Sequence, residues 1–308
     1  MQVLNNQCLQ IFCNLRLKPI DNALAVEYNV AMNRLSSYQQ TRVIAALVEG
    51  NSIRAACRMT GVARMTVTKL LVDLGKACYM YQYKNIKNLQ SRRIQCDEIW
   101  SFCYAKQDNL PKDKKNKFGY GDVWTWVAID ADTKLVPSWL VGLRNAQYAY
   151  QFISDLKRRL ANKVQLTTDG HRPYLDAVDD CFAGDIDYAT LVKLYGSDPE
   201  QEKRYSPAKC NGTEKRIVTG NPDSKYISTS FVERQNLTMR MSMRRFTRLT
   251  NAFSKKVDNL KHSVALHYMY YNFARVHKTL GVTPAMAAGI SDHVWSLEEI
   301  INLLPNSN

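Results

Sequence analysis

Between residues 93 and 194 the chain changes period in an order that few architectures accept. Arg93–Tyr104 (RIQCDEIWSFCY), Gly121–Asp130 and Leu135–Val141 read as strands. Ala146–Leu160 then reads as a helix, with Tyr150, Ile153 and Leu156 on one face and Lys157, Arg158 and Arg159 in its last turn. A short apolar strand, Val164–Leu166, runs into Thr167-Thr168-Asp169-Gly170, and a helix (Tyr174–Cys181) and a fifth strand (Tyr188–Leu194) follow. Three strands, a helix, a strand, a helix and a strand imply a mixed sheet covered by helices on both faces.

This order is that of the ribonuclease-H-like fold, in which strands one and four are neighbours. Asp97 falls inside the first strand, where Asp is depleted and an unpaired charge is costly. Asp169 falls at the end of the fourth, just before a glycine; it reads either as a second carboxylate for one cation or as a turn or cap residue. Glu98 points to the opposite face by the period-two rule, so only one of the Asp97-Glu98 pair is expected to join Asp169. Further on, Phe231–Thr247 (FVERQNLTMRMSMRRFT) reads as a helix with Glu233, Asn236, Leu237 and Arg240 on one face and Leu237 near the sheet. Taken alone, Glu233 reads as structural, either a surface Glu pairing with Arg or an N-terminal carboxylate favouring the helix dipole. It gains interest because Asp97 and Asp169 precede it. His171 reads as a phosphate- or water-positioning group or as a plain surface histidine.

Ahead of this region, residues 36–75 read as three short helices: Ser36–Glu49, Ser52–Thr60 and about Ala63–Leu74. Small residues at Ala55-Ala56-Cys57, a glycine at Gly61 and apolar anchors at Val62, Val67 and Leu70 match a helix-turn-helix layout. On its third helix Arg64, Met65, Thr66, Thr68 and Lys69 are left to face a major groove. An ordinary three-helix fragment is the competing reading.

Charge follows the same division. Formal net charge is +14 over 308 residues. Residues 31–92 hold ten basic against two acidic side chains, and 203–278 hold 16 against 4, whereas 93–202 hold 14 against 17. An acid-rich centre between two basic flanks suits a polyanion held over a metal site. The eight cysteines form no C-x-x-C pair, so a zinc site lacks support and most read as small buried hydrophobes. With 45% hydrophobic residues the chain is not expected to be wholly disordered. No apolar run of about 18 residues and no secretory-type start are seen, so no membrane partner and a cytoplasmic location are expected.

The stretches CDEIWSFC, GDVWTWVAID, LTTDGH, STSFVERQNLTMRMSMRRFTRLTNAFSKK and YNFARVHKTLGVTPAMA resemble the bacterial insertion-sequence transposases of the DDE type, nearest to the insertion-sequence-one family. The resemblance covers roughly residues 33–290 and is most specific around Glu233. It implies a catalytic and metal-binding triad of Asp97, Asp169 and Glu233 on a ribonuclease-H-like α/β core, preceded by a small all-α helix-turn-helix domain. It implies two Mg²⁺ ions (with Mn²⁺ as a substitute), double-stranded DNA as substrate, cleavage and strand transfer at the ends of the element, and a homo-oligomer on DNA in the bacterial nucleoid. Arg240 matches the basic residue seven positions after the Glu; Asn236, Arg244, Arg245 and Arg248 join it as DNA contacts. The chain departs from the family in having no cysteine-rich zinc module before the helices and in carrying Thr229 where the signature has Arg, though Tyr226 fits its aromatic position.

The implied organisation is an extension that is disordered or lies upstream of an internal start (1–31), a DNA-binding domain (32–78), a linker (79–92), a catalytic domain (93–290) with an insertion loop at 196–228, and a tail (291–308). Two rival functions share much of this pattern: a helix-turn-helix regulator with an inactive second domain, and a structure-specific nuclease of the same fold.

Overall fold

A computed structural model describes residues 35–195, 210–247 and 249–305, so the expectation for residues 1–31 lies outside the described residues. Residues from Ser36 onward form one compact unit. Among the described residues no helix is long and apolar enough to cross a membrane.

Six strands form one mixed sheet: β1 (Arg93–Cys103), β2 (Gly121–Asp130), β3 (Ser138–Gly142), β4 (Gln165–Thr168), β5 (Asp187–Tyr195) and β6 (Cys210–Thr219), in the order β3-β2-β1-β4-β5-β6. β1, β2 and β3 run antiparallel, β1, β4 and β5 run parallel, and β6 returns antiparallel along the edge. The expected adjacency of strands one and four is therefore present. β1 sits at the centre because its apolar positions serve both faces. Ile94 and Cys96 pack with Trp126, Phe152, Leu156, Tyr174 and Tyr188 on one side. Ile99 and Cys103 pack with Val232, Met239, Leu260, Val264 and Tyr268 on the other. Helices therefore cover both faces.

The segment 196–228 differs from the expected loop. Its described residues include β6 and a single 3-10 turn, Ser224–Tyr226. β6 is almost wholly exposed and rich in Lys, Thr, Glu and Gly, so it carries no buried stripe for sequence periodicity to register. Its order comes from the ladder with β5.

Three helices precede the sheet: α1 (Ser37–Val48), α2 (Ile53–Thr60) and α3 (Arg64–Asn85). Ser36 and Gln39 close a capping box on α1, Ser52 caps α2, and Gly61 ends α2 in the left-handed region at φ 73°. α3 runs 22 residues, through Tyr79–Asn85, where a linker was expected. Its extra turns are ordered by a partner distant in sequence. Gly75 lies so close to α7 (Val257–Met269) that an added Cβ would stand 2.5 Å from His262 Cβ, and Gln82 Nε2 donates to Ala265 O (3.0 Å). Tyr79 meets Trp139, and Tyr81 meets Phe273 and Trp295. The three helices are packed into the same unit as the sheet.

The remaining helices are α4 (Ala146–Arg159), α5 (Pro173–Phe182), α6 (Ser230–Ser242), α8 (Pro284–Ala287) and α9 (Leu297–Ile301). α4 and α5 supply the Phe152–Tyr174 side of the core; α6 and α7 supply the Val232–Tyr268 side. α6 stops at Ser242, short of the expected Thr247, and a 3-10 turn (Arg244–Phe246) follows. α7 passes into a π turn, Tyr270–Ala274, and the Tyr268–Tyr271 stripe is buried as expected of core. In the expected tail, Ile300 and Ile301 of α9 are buried.

Candidate active site

The register of β1 against β4 creates the site. Their pairing ends at Cys96↔Thr168, so Asp97 and Glu98 lie just beyond the last rung and Asp169 is the first residue after β4. Carboxylate oxygens of Asp97, Glu98 and Asp169 all lie within 4.8 Å of one another. Asp97 and Asp169 are brought together, as expected. The expectation that Glu98 stands apart is overturned. Its backbone does face the α4–α5 side while Asp97 faces α6, as period two requires. With β4 ended, however, no strand separates the two faces at this level, and the longer glutamate reaches Asp169 over the strand's end.

Each carboxylate has a distinct environment. Asp97 Oδ2 accepts from Asn236 Nδ2 of α6 (2.9 Å), and Oδ1 accepts the Glu98 backbone N–H (2.8 Å). Burial, and then the Asp169 charge, push its pKa up to about 7. The Glu98 side chain is 1% exposed; Oε2 accepts from Arg144 Nε (3.0 Å). Burial and then Asp169 push its pKa up to about 7 as well, against the pull of Arg144. Glu98 Oε1 is buried without a completed hydrogen bond, and the fully buried Tyr174 hydroxyl leans toward this carboxylate without forming one. Arg144 also reaches Asp169 Oδ2 (3.4 Å) and lies over the Trp124 ring at 5.0 Å.

Glu233 arrives differently. Thr229 does not cap α6 with its own side chain; instead Gln95 Oε1 of β1 accepts the Phe231 and Val232 backbone N–H groups (2.8 and 3.2 Å). That bond seats the first turn of α6 against β1 and sets Asn236 over Asp97. Glu233 is near enough to add to the negative charge that raises the Asp97 pKa. Its own oxygens are engaged: Oε2 by Lys193 of β5, and Oε1 by the Thr229 hydroxyl. It is not among the three converging carboxylates. Leu237, expected near the sheet, is exposed, and Val232, Gln235, Asn236 and Met239 are the buried residues of α6.

His171 donates its backbone N–H to Asp169 Oδ1 (2.9 Å), and its ring lies between Trp126 and Tyr174. Burial, with Arg144 nearby, lowers its pKa, and Nε2 is buried without a partner. It is an inward-facing neutral imidazole beside the carboxylates rather than a plain surface group.

The residues expected to contact DNA are scattered more widely. Arg64 and Lys69 are exposed at the start of α3, Thr66 and Thr68 are half-buried, and Lys69 pairs with Asp73 (2.6 Å). Arg240 is half-buried on α6 and Arg244 is exposed. Arg245 instead donates to Ser254 Oγ (2.8 Å), and burial lowers its pKa to about 10, which leaves it charged at neutral pH but turned into the 244–254 turn. Arg248 lies outside the described residues. A cleft of ≈ 800 Å³ joins the two basic regions, with Arg54, Arg58 and Arg64 on one wall and Arg244, Lys255 and Lys256 on the other.

A divalent cation fits the residues present. The three converging groups are all carboxylates, two of them are destabilised as anions by burial and mutual repulsion, and one buried oxygen lacks a partner. Hard cations such as Mg²⁺ prefer such donors. Arg144 and Lys193 had no sequence signal: one precedes a helix in an ordinary turn, the other is a lysine in a strand.

No protein-family profile matches the chain, nor does any curated protein. Among solved structures it is similar to a piggyBac transposase synaptic complex with hairpin DNA, at TM-score 0.39 and 11% identity over 87% of this chain and 69% of that one. It is also similar to a Mos1 transposase paired-end complex with left transposon end, at TM-score 0.22 and 15% identity over 58% of this chain. The chain spans less than two thirds, 64%, of that Mos1 chain. A Mos1 strand transfer complex is matched at TM-score 0.24 and 12% identity, over 81% of this chain and 78% of that one.

Proposed function

We propose that this chain is a DDE-type transposase of the ribonuclease-H-like fold, cleaving and joining DNA ends by metal-dependent in-line phosphoryl transfer. The observation that carries the reading is the meeting of Asp97 and Asp169, 72 residues apart in sequence, at the open end of two parallel strands with their carboxylates poorly compensated. The resemblance to insertion-sequence transposases supplies Glu233 as the third carboxylate. Bound divalent ions, two Mg²⁺ in this reading with Mn²⁺ able to replace them, supply a more acidic water or 3′-hydroxyl and charge stabilisation at phosphorus. Asp97 and Asp169 would hold such cations, and Asn236 fixes the Asp97 carboxylate through its 2.9 Å hydrogen bond. Glu233 would complete the set if its carboxylate left Lys193. His171 holds the Asp169 turn through its N–H.

DNA grip belongs to the basic cleft. α2 and α3 serve as a helix-turn-helix: Ala56 is fully buried where the helices meet, Gly61 makes the left-handed bend, and Arg64, Thr66, Thr68 and Lys69 open α3 toward the duplex. Arg240 and Arg244 contact phosphates beyond the site, and two copies pair two element ends, so the DNA-bound form is an oligomer in the bacterial nucleoid.

One observation favours a second reading, a DNA-binding regulator with an inactive second domain: Glu233 is held by Lys193 and Thr229. The deciding experiment incubates the protein with DNA spanning the flanks of its own gene, with Mg²⁺ or Mn²⁺. Site-specific nicks followed by joined products are expected. Nicks without joining point to a nuclease; binding without cleavage under either metal points to the regulator and overturns the proposal.

A further inference from the structure

We propose that Glu98 is a further metal-ligating carboxylate of this site, offering Oε1 to the cation held between Asp97 and Asp169 while Arg144 keeps hold of Oε2. The inference rests on the reading above that a divalent cation binds at this corner. It adds a ligand from the opposite face of β1.

The geometry makes the assignment specific. Three carboxylates from two strands lie within one coordination radius, and Glu98 is one of them. A buried glutamate serving only as an ion-pair partner is expected to place both oxygens against donors, because an uncompensated buried oxygen is costly. Glu98 does not do so. Its side chain is 1% exposed and converges with Asp97 and Asp169, Arg144 takes Oε2, and Oε1 is left buried and unsatisfied. The Tyr174 hydroxyl approaches this carboxylate without completing a hydrogen bond, so that oxygen is left without a settled partner. A cation is the partner of matching charge.

Arg144 is the positioning residue in this arrangement. It bridges the two carboxylates, Nε donating to Glu98 Oε2 and Nη2 to Asp169 Oδ2, while Asp169 Oδ1 accepts the His171 backbone N–H. Stacking over Trp124 fixes the guanidinium plane. An outer partner of this kind typically changes metal affinity by about 10-fold or more when lost.

The test is a calorimetric titration of the full chain, without DNA, with MnCl₂ at pH 7.5, comparing wild type, Asp97→Asn, Glu98→Gln and Glu98→Asp. Circular dichroism melts without metal establish that each variant folds. Glu98→Asp keeps the charge but withdraws the carboxylate by one methylene, so it gives the answer if Glu98→Gln does not fold. Saturable binding to wild type, lost in Asp97→Asn and weakened at least about tenfold in a folded Glu98 variant, supports the assignment. Wild-type binding that Asp97→Asn abolishes but both Glu98 variants retain within twofold overturns it and leaves the proposed chemistry standing. No saturable binding to wild type overturns the assignment together with the metal-dependent function.

Discussion

The two halves of the site are built on opposite principles. At the end of β1 and β4, Asp97, Glu98 and Asp169 are placed by strand register, and Arg144 pairs with two of them, Glu98 and Asp169. On α6, Glu233 is placed by helix docking and is fully partnered by Lys193 and Thr229. The sheet half carries electrostatic tension that a proton or a cation relieves, whereas the helix half is already partnered. In the proposed reading a cation would be drawn first to the strand ends, and Glu233 would join it on leaving Lys193.

The largest expected effect separates these roles. Asp97→Asn and Asp169→Asn lower DNA cleavage on the order of 10³-fold or more, because both metal affinity and charge stabilisation are lost. Glu233→Gln lowers cleavage to a similar degree yet leaves Mn²⁺ affinity of the metal-loaded corner within a few fold. Equal loss of Mn²⁺ binding in all three variants would erase the distinction between the two halves.

The pH dependence of stability comes next. Asp97 and Glu98 have folded pKa values pushed up to about 7, well above the ordinary carboxylate range. A carboxyl whose pKa is raised by folding binds its proton more tightly in the native state, so stability falls as pH rises from about 4 through about 7. The cost reaches on the order of 3 kcal/mol across that window, a Tm decrease of roughly 5 °C or more. Without metal, Tm at pH 8 should lie below Tm at pH 5.5, and Mg²⁺ should raise it at pH 8 but not at pH 5.5. Asp97→Asn should flatten the profile. A wild-type Tm that rises between pH 5.5 and 8 in EDTA would show that the corner is already compensated.

Legibility in the sequence divided along the same line. Asp97 stood out because an aspartate inside an apolar strand has few structural excuses, and the element order placed Asp169 beside it. Glu98 was assigned to the correct face but to the wrong neighbourhood: period two says which way a side chain leaves its strand and nothing of where the adjacent strand stops, and β4 is only four residues long. Arg144 and Lys193 were invisible because ion pairs across sheet and turn have no local spacing. Tyr79–Asn85 read as linker since its helical order depends on α7, nearly two hundred residues away, and β6 read as loop since an exposed edge strand has no apolar alternation.

Docking of α6 offers a more modest test. Gln95 is 3% exposed and its Oε1 takes the place of an N-cap for two backbone N–H groups. Gln95→Leu keeps the volume and removes that acceptor, at a cost of about 1–2 kcal/mol by analogy with lost caps. Cleavage should fall about tenfold or more as Glu233 loses its seat, while Mn²⁺ affinity changes less than twofold. A parallel loss of both would mean that the helix, and not strand register, places the metal corner.

Lys193→Met carries the smallest effect and the sharpest sign. Lys193 places a positive charge on Glu233, whose own charge is felt at Asp97. Like charges repel, so this ammonium opposes entry of a dication, and at the effective dielectric of a partly exposed site its removal is worth about 1 kcal/mol. Mn²⁺ affinity should therefore tighten by roughly three- to tenfold. Cleavage need not follow, because the same lysine also restrains Glu233 through the ion pair; a rise in affinity with unchanged or lower cleavage is the signature of a residue that guards the resting state. Unchanged or weaker Mn²⁺ binding would show that Lys193 stays on Glu233 when metal is present, and the partner exchange that distinguishes α6 from the strand ends would not occur.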